Sequence, residues 1–161
     1  MPQPFDRYDA QLTSPGLVIL EMDAEDRQDA TRQLAERLAA EGRILDLEAF
    51  LADVDAREHQ MATGLPGGIG LPHARSEQVT QPSIAVGVAK YGRAVDFGAL
   101  DGPAYVVLLI ATPASSFSEH LEVLATMARS LSKAGFRESL RRANDADIIA
   151  ELVNSALVFG D

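Results

Sequence analysis

The stretch AYVVLLIA, residues 104–111, is the longest uninterrupted apolar run in this chain of 161 residues. A run of this kind is typical of a β-strand covered on both faces, and it is far shorter than the roughly 20 residues that span a bilayer. A second run, SIAVGVA at residues 83–89, predicts another buried strand. Between the two runs, Val95 and Phe97 predict a short strand. The chain therefore contains the centre of a β-sheet.

Segments on both sides of these strands carry apolar residues at helical spacing. They predict helices at residues 23–41, 46–60, 116–131, 136–142 and 144–157. Their predicted N-caps are Asp23, Asp46, Ser116 and Asn144. Glu119 completes a capping box with Ser116, and Gly42 stops the first helix.

Helices before, among and after buried strands indicate a layered α/β domain. We predict a single domain with a small mixed β-sheet of about five strands, flanked by helices on both faces. Residues 1–16 are expected to form an irregular entry, and residues 17–158 the folded domain. A chain of this length buries a sizeable core as one unit.

Composition excludes several classes of function. The chain has no cysteine, which removes disulfide scaffolds, thiolate metal sites and cysteine nucleophiles. Its net charge of −10 argues against a nucleic-acid or anionic-membrane surface, because both need dense Lys/Arg patches. The polar start, MPQPFDRYDA, has neither the basic nor the apolar region of a secretory signal. We therefore expect a cytoplasmic protein.

Residues 64–73, GLPGGIGLPH, form the densest Pro/Gly segment, in which Ile69 and Leu71 could share one side of a short strand. Glycine allows the backbone to approach a ligand closely. The segment lacks the Gly-Lys-Ser/Thr ending of a P-loop, and no glycine stands three residues after Gly70 as a dinucleotide fingerprint requires. No nucleotide or other cofactor is predicted.

Three histidines are the candidate chemical groups. His73 follows Pro72, whose fixed φ favours a rigid, exposed corner for the imidazole; a loop histidine without a role is the alternative. His120 lies at the edge of a helix's apolar stripe, so taken alone it is better explained as a hydrogen-bonded core histidine. His59 ends a helix, where an imidazolium stabilises the dipole, and we interpret it as structural.

Charged residues lie near the same glycine-rich segment. Arg57 and Glu58 precede it, and Arg75 follows His73 by two positions. Each has an ordinary interpretation as a solvated surface charge. In so acidic a chain, cations grouped around one loop instead suggest a local anion site.

At these residues the sequence resembles a known family, the IIA components of the phosphoenolpyruvate-dependent sugar phosphotransferase system, of the fructose/mannitol type. The ordered set that carries the resemblance is Arg57-Glu58, residues 63–74, residues 95–99, residues 101–103 and His120-Leu121. The resemblance covers roughly residues 17–157. One departure is Gly70, where the family usually has Ala; we expect it to change loop stiffness more than chemistry.

The resemblance implies that residues 17–158 are a IIA phosphocarrier domain and an enzyme component with a phosphohistidine intermediate. His73 would accept a phosphoryl group from the phosphocarrier HPr and pass it to a cysteine of a IIB domain, which phosphorylates sugar during uptake through the membrane component IIC. Arg57 and His120 match the family's active-site arginine and second histidine. Glu58, Thr63 and Arg75 are possible supporting residues, with Glu58 holding Arg57.

Three other interpretations stay open. A nitrogen-regulatory IIA paralogue would use the same histidine to regulate rather than to transport. A metal-binding domain would use His59, His73, His120 and a carboxylate, although their spacing matches no local metal motif. A non-catalytic interaction domain would not be phosphorylated at all. The sequence does not identify the sugar.

Overall fold

A mixed β-sheet forms the centre of the computed structural model, which describes residues 12–158. Its strands are β1 (Val18–Met22), β2 (Gly64–Leu65), β3 (Ile69–Gly70), β4 (His73–Ser76), β5 (Ser83–Ala89) and β6 (Val106–Pro113). The order is β1-β5-β6-β3-β2, and β4 also pairs with β6. Only β5/β6 and β2/β3 are antiparallel. The described residues thus form six strands, where about five were expected.

Five helices cover the sheet within the described residues. They are α1 (Arg27–Ala40), α2 (Leu47–Gln60), α3 (Phe117–Leu131), α4 (Ala134–Arg142) and α5 (Ala146–Val158). A short 3-10 helix, Pro15–Leu17, precedes β1. None of the helices in residues 12–158 combines the length and the apolar composition that crossing a bilayer requires.

The two apolar runs in the sequence form the middle of the sheet and supply both cores. Along β6, Val107 and Leu109 join the core under α1 and α2, whereas Leu108 and Ile110 join the core under α3, α4 and α5. Successive side chains of a strand point to opposite faces, so an all-apolar run fits a strand that is covered on both sides. The prediction of helices on both faces is confirmed.

The ends of the first two helices follow local capping chemistry. Asp46 caps α2 as predicted, and its carboxylate accepts a hydrogen bond from the Ala49 N–H at 3.0 Å. The cap of α1 was predicted wrongly, because Asp26, not Asp23, accepts from the Asp29 N–H at 2.8 Å. Gly42, with φ of +74°, ends α1 in the left-handed conformation that glycine adopts readily.

Three other predictions of element ends are corrected. The helix α3 begins at Phe117, but the Ser116 side chain makes no capping hydrogen bond to any described residue, so the predicted capping box does not form. The last helix begins after Asp145, whose carboxylate accepts from the Asp147 N–H at 2.8 Å, and not after Asn144. The sixth strand runs two residues beyond Ala111, because its pairing with β4 continues to its end.

Two predicted segments have a different outcome. Val95 forms only an isolated bridge with Ala104, so residues 95–97 are not a strand, although Val95 and Phe97 are both buried. Of the expected irregular entry, residues 1–11 lie outside the described residues.

The glycine-rich segment forms a small hairpin at the edge of the sheet. Strands β2 and β3 pair with each other, and β3 then pairs in parallel with β6 at Val106 and Val107. A Cβ atom at Gly70 would lie 2.7 Å from the Phe97 ring, closer than real Cβ contacts come. Glycine at this position therefore fits the close packing of the Phe97 ring. The expectation that glycine in place of alanine changes loop stiffness more than chemistry stays a prediction.

Candidate active site

The register between β4 and β6 brings His73 and Arg75 to the same face of the sheet as the sequence-distant Thr112. His73 pairs with Ile110, and Arg75 pairs with Thr112. Alternate residues of a strand share a face, and Ile110 belongs to the core on the α3 side. His73, Arg75 and Thr112 therefore face the helix that carries His120.

The His73 imidazole is half-buried and bonded to the backbone before it. Its Nδ1 lies 2.9 Å from the carbonyl oxygen of Leu71. Because a carbonyl only accepts hydrogen bonds, Nδ1 must carry the proton. In the neutral ring, Nε2 is then the unprotonated nitrogen. The prediction that His73 lies at an exposed corner is wrong. Its imidazole is half-buried, and His73 is the first residue of a strand paired with β6.

His120 is a buried partner of His73. It is 5% exposed, and its Nδ1 shares a hydrogen bond of 2.6 Å with the Thr112 hydroxyl. The ring centroids of His73 and His120 lie 5.7 Å apart. The predicted core histidine is thus buried and hydrogen-bonded, and it also stands beside the candidate nucleophile.

Both histidines are held neutral near pH 7. Burial, together with the nearby His73, Arg57 and Arg75, lowers the pKa of His120 from 6.5 to about 4. Burial also lowers the pKa of His73, as does the charge of Arg57, although the Leu71 carbonyl and Glu58 oppose the change. A neutral imidazole keeps one ring nitrogen free to act as a nucleophile.

Two exposed arginines contribute positive charge at this site. Arg57, near the end of α2, acts electrostatically on both histidines, and one of its guanidinium nitrogens donates to the Gln60 side chain at 3.3 Å. Arg75 acts on His120 and has its guanidinium carbon 4.7 Å from the centre of the Phe117 ring. Positive charge from both arginines therefore acts on His120, and it favours an anion beside the two histidines.

Glu58 does not hold Arg57, contrary to expectation. Its carboxylate instead accepts from Arg27 at 3.2 Å and from the Thr63 N–H and hydroxyl at 3.1 and 2.7 Å. Successive helical residues point in directions about 100° apart, so the adjacent side chains of Arg57 and Glu58 do not face each other. Thr63 is thereby fixed at the start of the glycine-rich segment.

Several amides of that segment are already used within the protein. The N–H groups of Gly64, Gly67 and Leu71 donate to Phe97, Asp101 and Thr63, at 2.9, 2.9 and 3.1 Å. The hairpin also pairs with an earlier part of β6 than His73 does. These three amides are therefore not the anion donors that a glycine-rich loop suggests.

His59 takes no part in the cluster. It is exposed at the end of α2, where its Nδ1 donates to the Asp55 carbonyl at 2.8 Å. Across residues 12–158, no group of three or more histidine, cysteine or acidic side chains is placed to hold a metal ion. The three histidines of the metal hypothesis do not converge.

Sequence reasoning missed two groups of the site. Thr112 lies just past the apolar run at residues 104–111, and its polar side chain at that position is the only sign of a role in the sequence. The Leu71 carbonyl, which sets the tautomer of His73, has no signal in the side-chain pattern. Both roles depend on the pairing of β4 with β6 and on the path of the backbone into it.

Comparison with known proteins identifies the type of domain. Residues 11–156 match the family described as phosphoenolpyruvate-dependent sugar phosphotransferase system, EIIA 2. The fructose-specific EIIA component of Haloferax volcanii is 33% identical over 147 residues, covering 88% of this chain and 94% of that protein. The nitrogen regulatory protein of Pseudomonas aeruginosa is 31% identical over 144 residues, covering 89% and 92%.

Relatives of other lengths also match. The fructose-specific EIIABC component of Bacillus subtilis is 30% identical over 145 residues, which are 89% of this chain but only 22% of that protein. This chain therefore spans about a fifth of that longer relative.

Solved structures share the fold. The nitrogen regulatory protein IIA-Ntr of Neisseria meningitidis has a TM-score of 0.81 at 26% identity, covering 89% of this chain and 97% of that one. The mannitol enzyme IIA of Escherichia coli, solved in complex with phosphorylated enzyme IIB, has a TM-score of 0.74 at 20% identity, covering 88% and 96%. The chain thus belongs to the EIIA 2 family of the phosphoenolpyruvate-dependent sugar phosphotransferase system, a family of phosphoryl carriers.

Proposed function

We propose that this chain carries a phosphoryl group on Nε2 of His73. The single observation that supports this most is the 2.9 Å hydrogen bond from Nδ1 of His73 to the Leu71 carbonyl. It places the ring proton on Nδ1 and leaves the lone pair of Nε2 available, while burial keeps the ring uncharged. The carrier domain in this proposal is residues 17–158, preceded by an entry at residues 1–16.

The donor in this proposal is phospho-HPr. The lone pair of His73 Nε2 forms a bond to phosphorus while the bond from phosphorus to the donor breaks, and the donor leaves with that electron pair. In-line transfer needs positioning and charge stabilisation more than covalent help from the protein. Arg57 and Arg75 supply positive charge near the incoming oxygens.

His120 is proposed to stabilise the transferred group. Its Nδ1 is occupied by the bond to Thr112, at 2.6 Å. With the Thr112 hydroxyl as donor, the ring proton of neutral His120 lies on Nε2, from which it can donate to a phosphoryl oxygen. Arg57 can bind two oxygens at once, which lysine does less well.

The acceptor in this proposal is a cysteine of a IIB domain. A thiolate attacks phosphorus, the P–N bond breaks, and the electron pair returns to Nε2. These 161 residues contain no cysteine, so the acceptor thiol lies outside them. Further transfer to a sugar would involve the membrane component IIC. A carrier between these partners would act in the cytoplasm, and the transfer itself requires no cofactor.

A nitrogen-regulatory role is the second candidate. It is favoured by the similarity to the nitrogen regulatory protein of P. aeruginosa, which is 31% identical. Both roles would use the same phosphorylated histidine. They differ in the next step, because only the transport role requires transfer from His73 to a IIB cysteine.

Phosphorylation of the purified chain tests the proposal. The chain is incubated with labelled phosphoenolpyruvate, enzyme I and HPr, and the label is tested for lability in acid and stability in base. We expect such a label in the wild type and in His59→Ala, and none in His73→Ala. A label that persists in His73→Ala would contradict the assignment.

A second assay separates the two roles. The phosphorylated chain, freed of HPr, is mixed with a purified fructose-type IIB domain and with its cysteine-to-serine variant. The transport role predicts rapid transfer of the label from the chain to the IIB domain and no transfer to its cysteine-to-serine variant. Retention of the label with both acceptors would favour the regulatory role.

A further inference from the structure

We propose that Arg27 is a positioning residue for His73, which it reaches through Glu58, Thr63 and the backbone of Leu71. Arg27 is the first residue of α1 and lies 46 positions before His73 in the chain. The geometric part of this proposal stands on contacts within the structure. Its consequence for phosphoryl transfer rests on the proposed function of His73.

The first link joins two helices. Arg27 Nη1 donates to Glu58 Oε2 at 3.2 Å, and the side chains are 25% and 11% exposed. A carboxylate so far withdrawn from water is costly unless it is paired and hydrogen-bonded. Arg27 therefore provides the charged partner of the Glu58 carboxylate at this position.

The second link holds the start of the glycine-rich segment. Both oxygens of Glu58 accept from Thr63, one from its N–H at 3.1 Å and one from its hydroxyl at 2.7 Å. Hydrogen bonds to an ionised acceptor are stronger than neutral ones. The backbone and side chain of Thr63 are thus fixed together.

The third link reaches the imidazole. The Thr63 carbonyl accepts from the Leu71 N–H at 3.1 Å, and the Leu71 carbonyl accepts from His73 Nδ1 at 2.9 Å. The backbone of Leu71 is therefore held by Thr63 at its N–H and binds His73 at its carbonyl. A displacement of Thr63 would weaken the bond that keeps the ring proton on Nδ1.

Arg27 also contacts the segment on the other side of the hairpin. Its Nη2 lies 3.6 Å from Asp96 Oδ1, and its guanidinium carbon lies 5.9 Å from the centre of the Phe97 ring. The Phe97 carbonyl in turn accepts from the Gly64 N–H at 2.9 Å. Residues 63 and 64 are thereby held by Glu58 on one side and by Phe97 on the other. Arg27 interacts with both of these residues.

A matched control exists on the same pair of helices. Arg32 binds Glu48 through two hydrogen bonds of 2.9 Å, and both pairs line the same cleft of about 350 Å³ between α1 and α2. Neither bond of that pair reaches the glycine-rich segment. Removing Arg32 therefore breaks a bridge between α1 and α2 without loosening Thr63.

The experiment compares Arg27→Ala, Arg27→Lys and Arg32→Ala with the wild type at pH 7.5. Two quantities are measured: the ¹⁵N chemical shifts of the His73 ring nitrogens, which report where the proton resides, and the rate of phosphorylation by phospho-HPr. In Arg27→Ala we expect the Nδ1–H form of His73 to lose population and the rate to fall about tenfold. Arg27→Lys should recover part of both losses, and Arg32→Ala should stay within twofold of the wild type.

Other outcomes have definite meanings. If Arg27→Ala keeps the wild-type ring shifts, or changes them no more than Arg32→Ala, the positioning role is overturned. If Arg27→Ala does not fold, Thr63→Val replaces it, because it removes the 2.7 Å bond alone, and the same shift of the ring proton is expected. If phospho-HPr labels neither the wild type nor any variant, the proposed function fails. The ¹⁵N chemical shifts of the His73 ring still decide the positioning role.

Discussion

Burial of His120 should make the protein lose stability in acid, and the His120→Gln variant isolates that effect. His120 is 5% exposed, and burial together with the nearby positive groups lowers its pKa from 6.5 to about 4. In the unfolded chain the imidazole returns to an ordinary pKa. Between these two pKa values, the unfolded state binds a proton that the folded state does not.

The sign and size follow from proton linkage. Because the folded pKa is the lower one, the stabilisation is fully present above pH 6.5 and is lost as the pH falls to about 4. One pKa unit corresponds to about 1.4 kcal/mol, so the loss amounts to at most about 3.5 kcal/mol, of which about 3 kcal/mol is reached by pH 4. Glutamine has no titrating group and should not show this loss.

Urea unfolding at a series of pH values between 4 and 7 measures the difference. We expect the free energy of unfolding of the wild type to fall by about 2–3 kcal/mol more than that of His120→Gln across this range. Carboxylate titration and His73 contribute to both proteins and largely cancel in the comparison. Parallel curves that differ by less than about 0.5 kcal/mol would refute the neutral, buried state of His120.

Three further predictions concern single residues. Thr112→Val removes the partner of His120 Nδ1 at nearly constant volume, and we expect urea unfolding to show a loss of about 1–3 kcal/mol, since a buried polar atom is left unpaired. Gly70→Ala should also cost about 1–3 kcal/mol, because the added methyl group would lie 2.7 Å from the Phe97 ring; an unchanged urea midpoint would contradict this. Arg57→Lys keeps the charge but loses the planar fork, and we expect phosphorylation by phospho-HPr to slow about tenfold, or about 1.4 kcal/mol, with unchanged stability.

Elements with their signals inside one short segment were predictable from the sequence. The second helix has its cap at Asp46 and its end at Gln60 where the pattern places them, and the strand at residues 83–89 matches SIAVGVA. In both, the local pattern of apolar residues agrees with the tertiary structure. No distant contact had to be known to locate either element.

Other features depend on partners elsewhere in the chain. Asp23 and Asp26 are equivalent caps in the local sequence, and the choice depends on β1 continuing to Met22 and on the turn that follows. The sixth strand extends past Ala111 because β4 pairs with it, which is how Thr112 comes to face His120. These outcomes follow from strand register, which local spacing does not specify.

The candidate site also combines features that the sequence indicates with features that depend on distant contacts. The family resemblance assigned His73 and His120 to one site, and the structure places their ring centroids 5.7 Å apart. The partner of Glu58 was predicted wrongly, because Arg57 is adjacent in sequence but Arg27, 31 positions away, is adjacent in space. Charge patterns identify which groups attract an anion, whereas the hydrogen bonds that orient them depend on the fold.

The position of the phosphoryl group on the imidazole tests the central claim most directly. The chain, labelled with ¹⁵N in its histidines, is phosphorylated by phospho-HPr, and the ring nitrogen bonded to phosphorus is identified by ¹⁵N–³¹P coupling. We predict one phosphorylated nitrogen, Nε2 of His73, with a proton retained on Nδ1. Phosphorus on Nδ1 of His73, or on His59 or His120, would contradict the account.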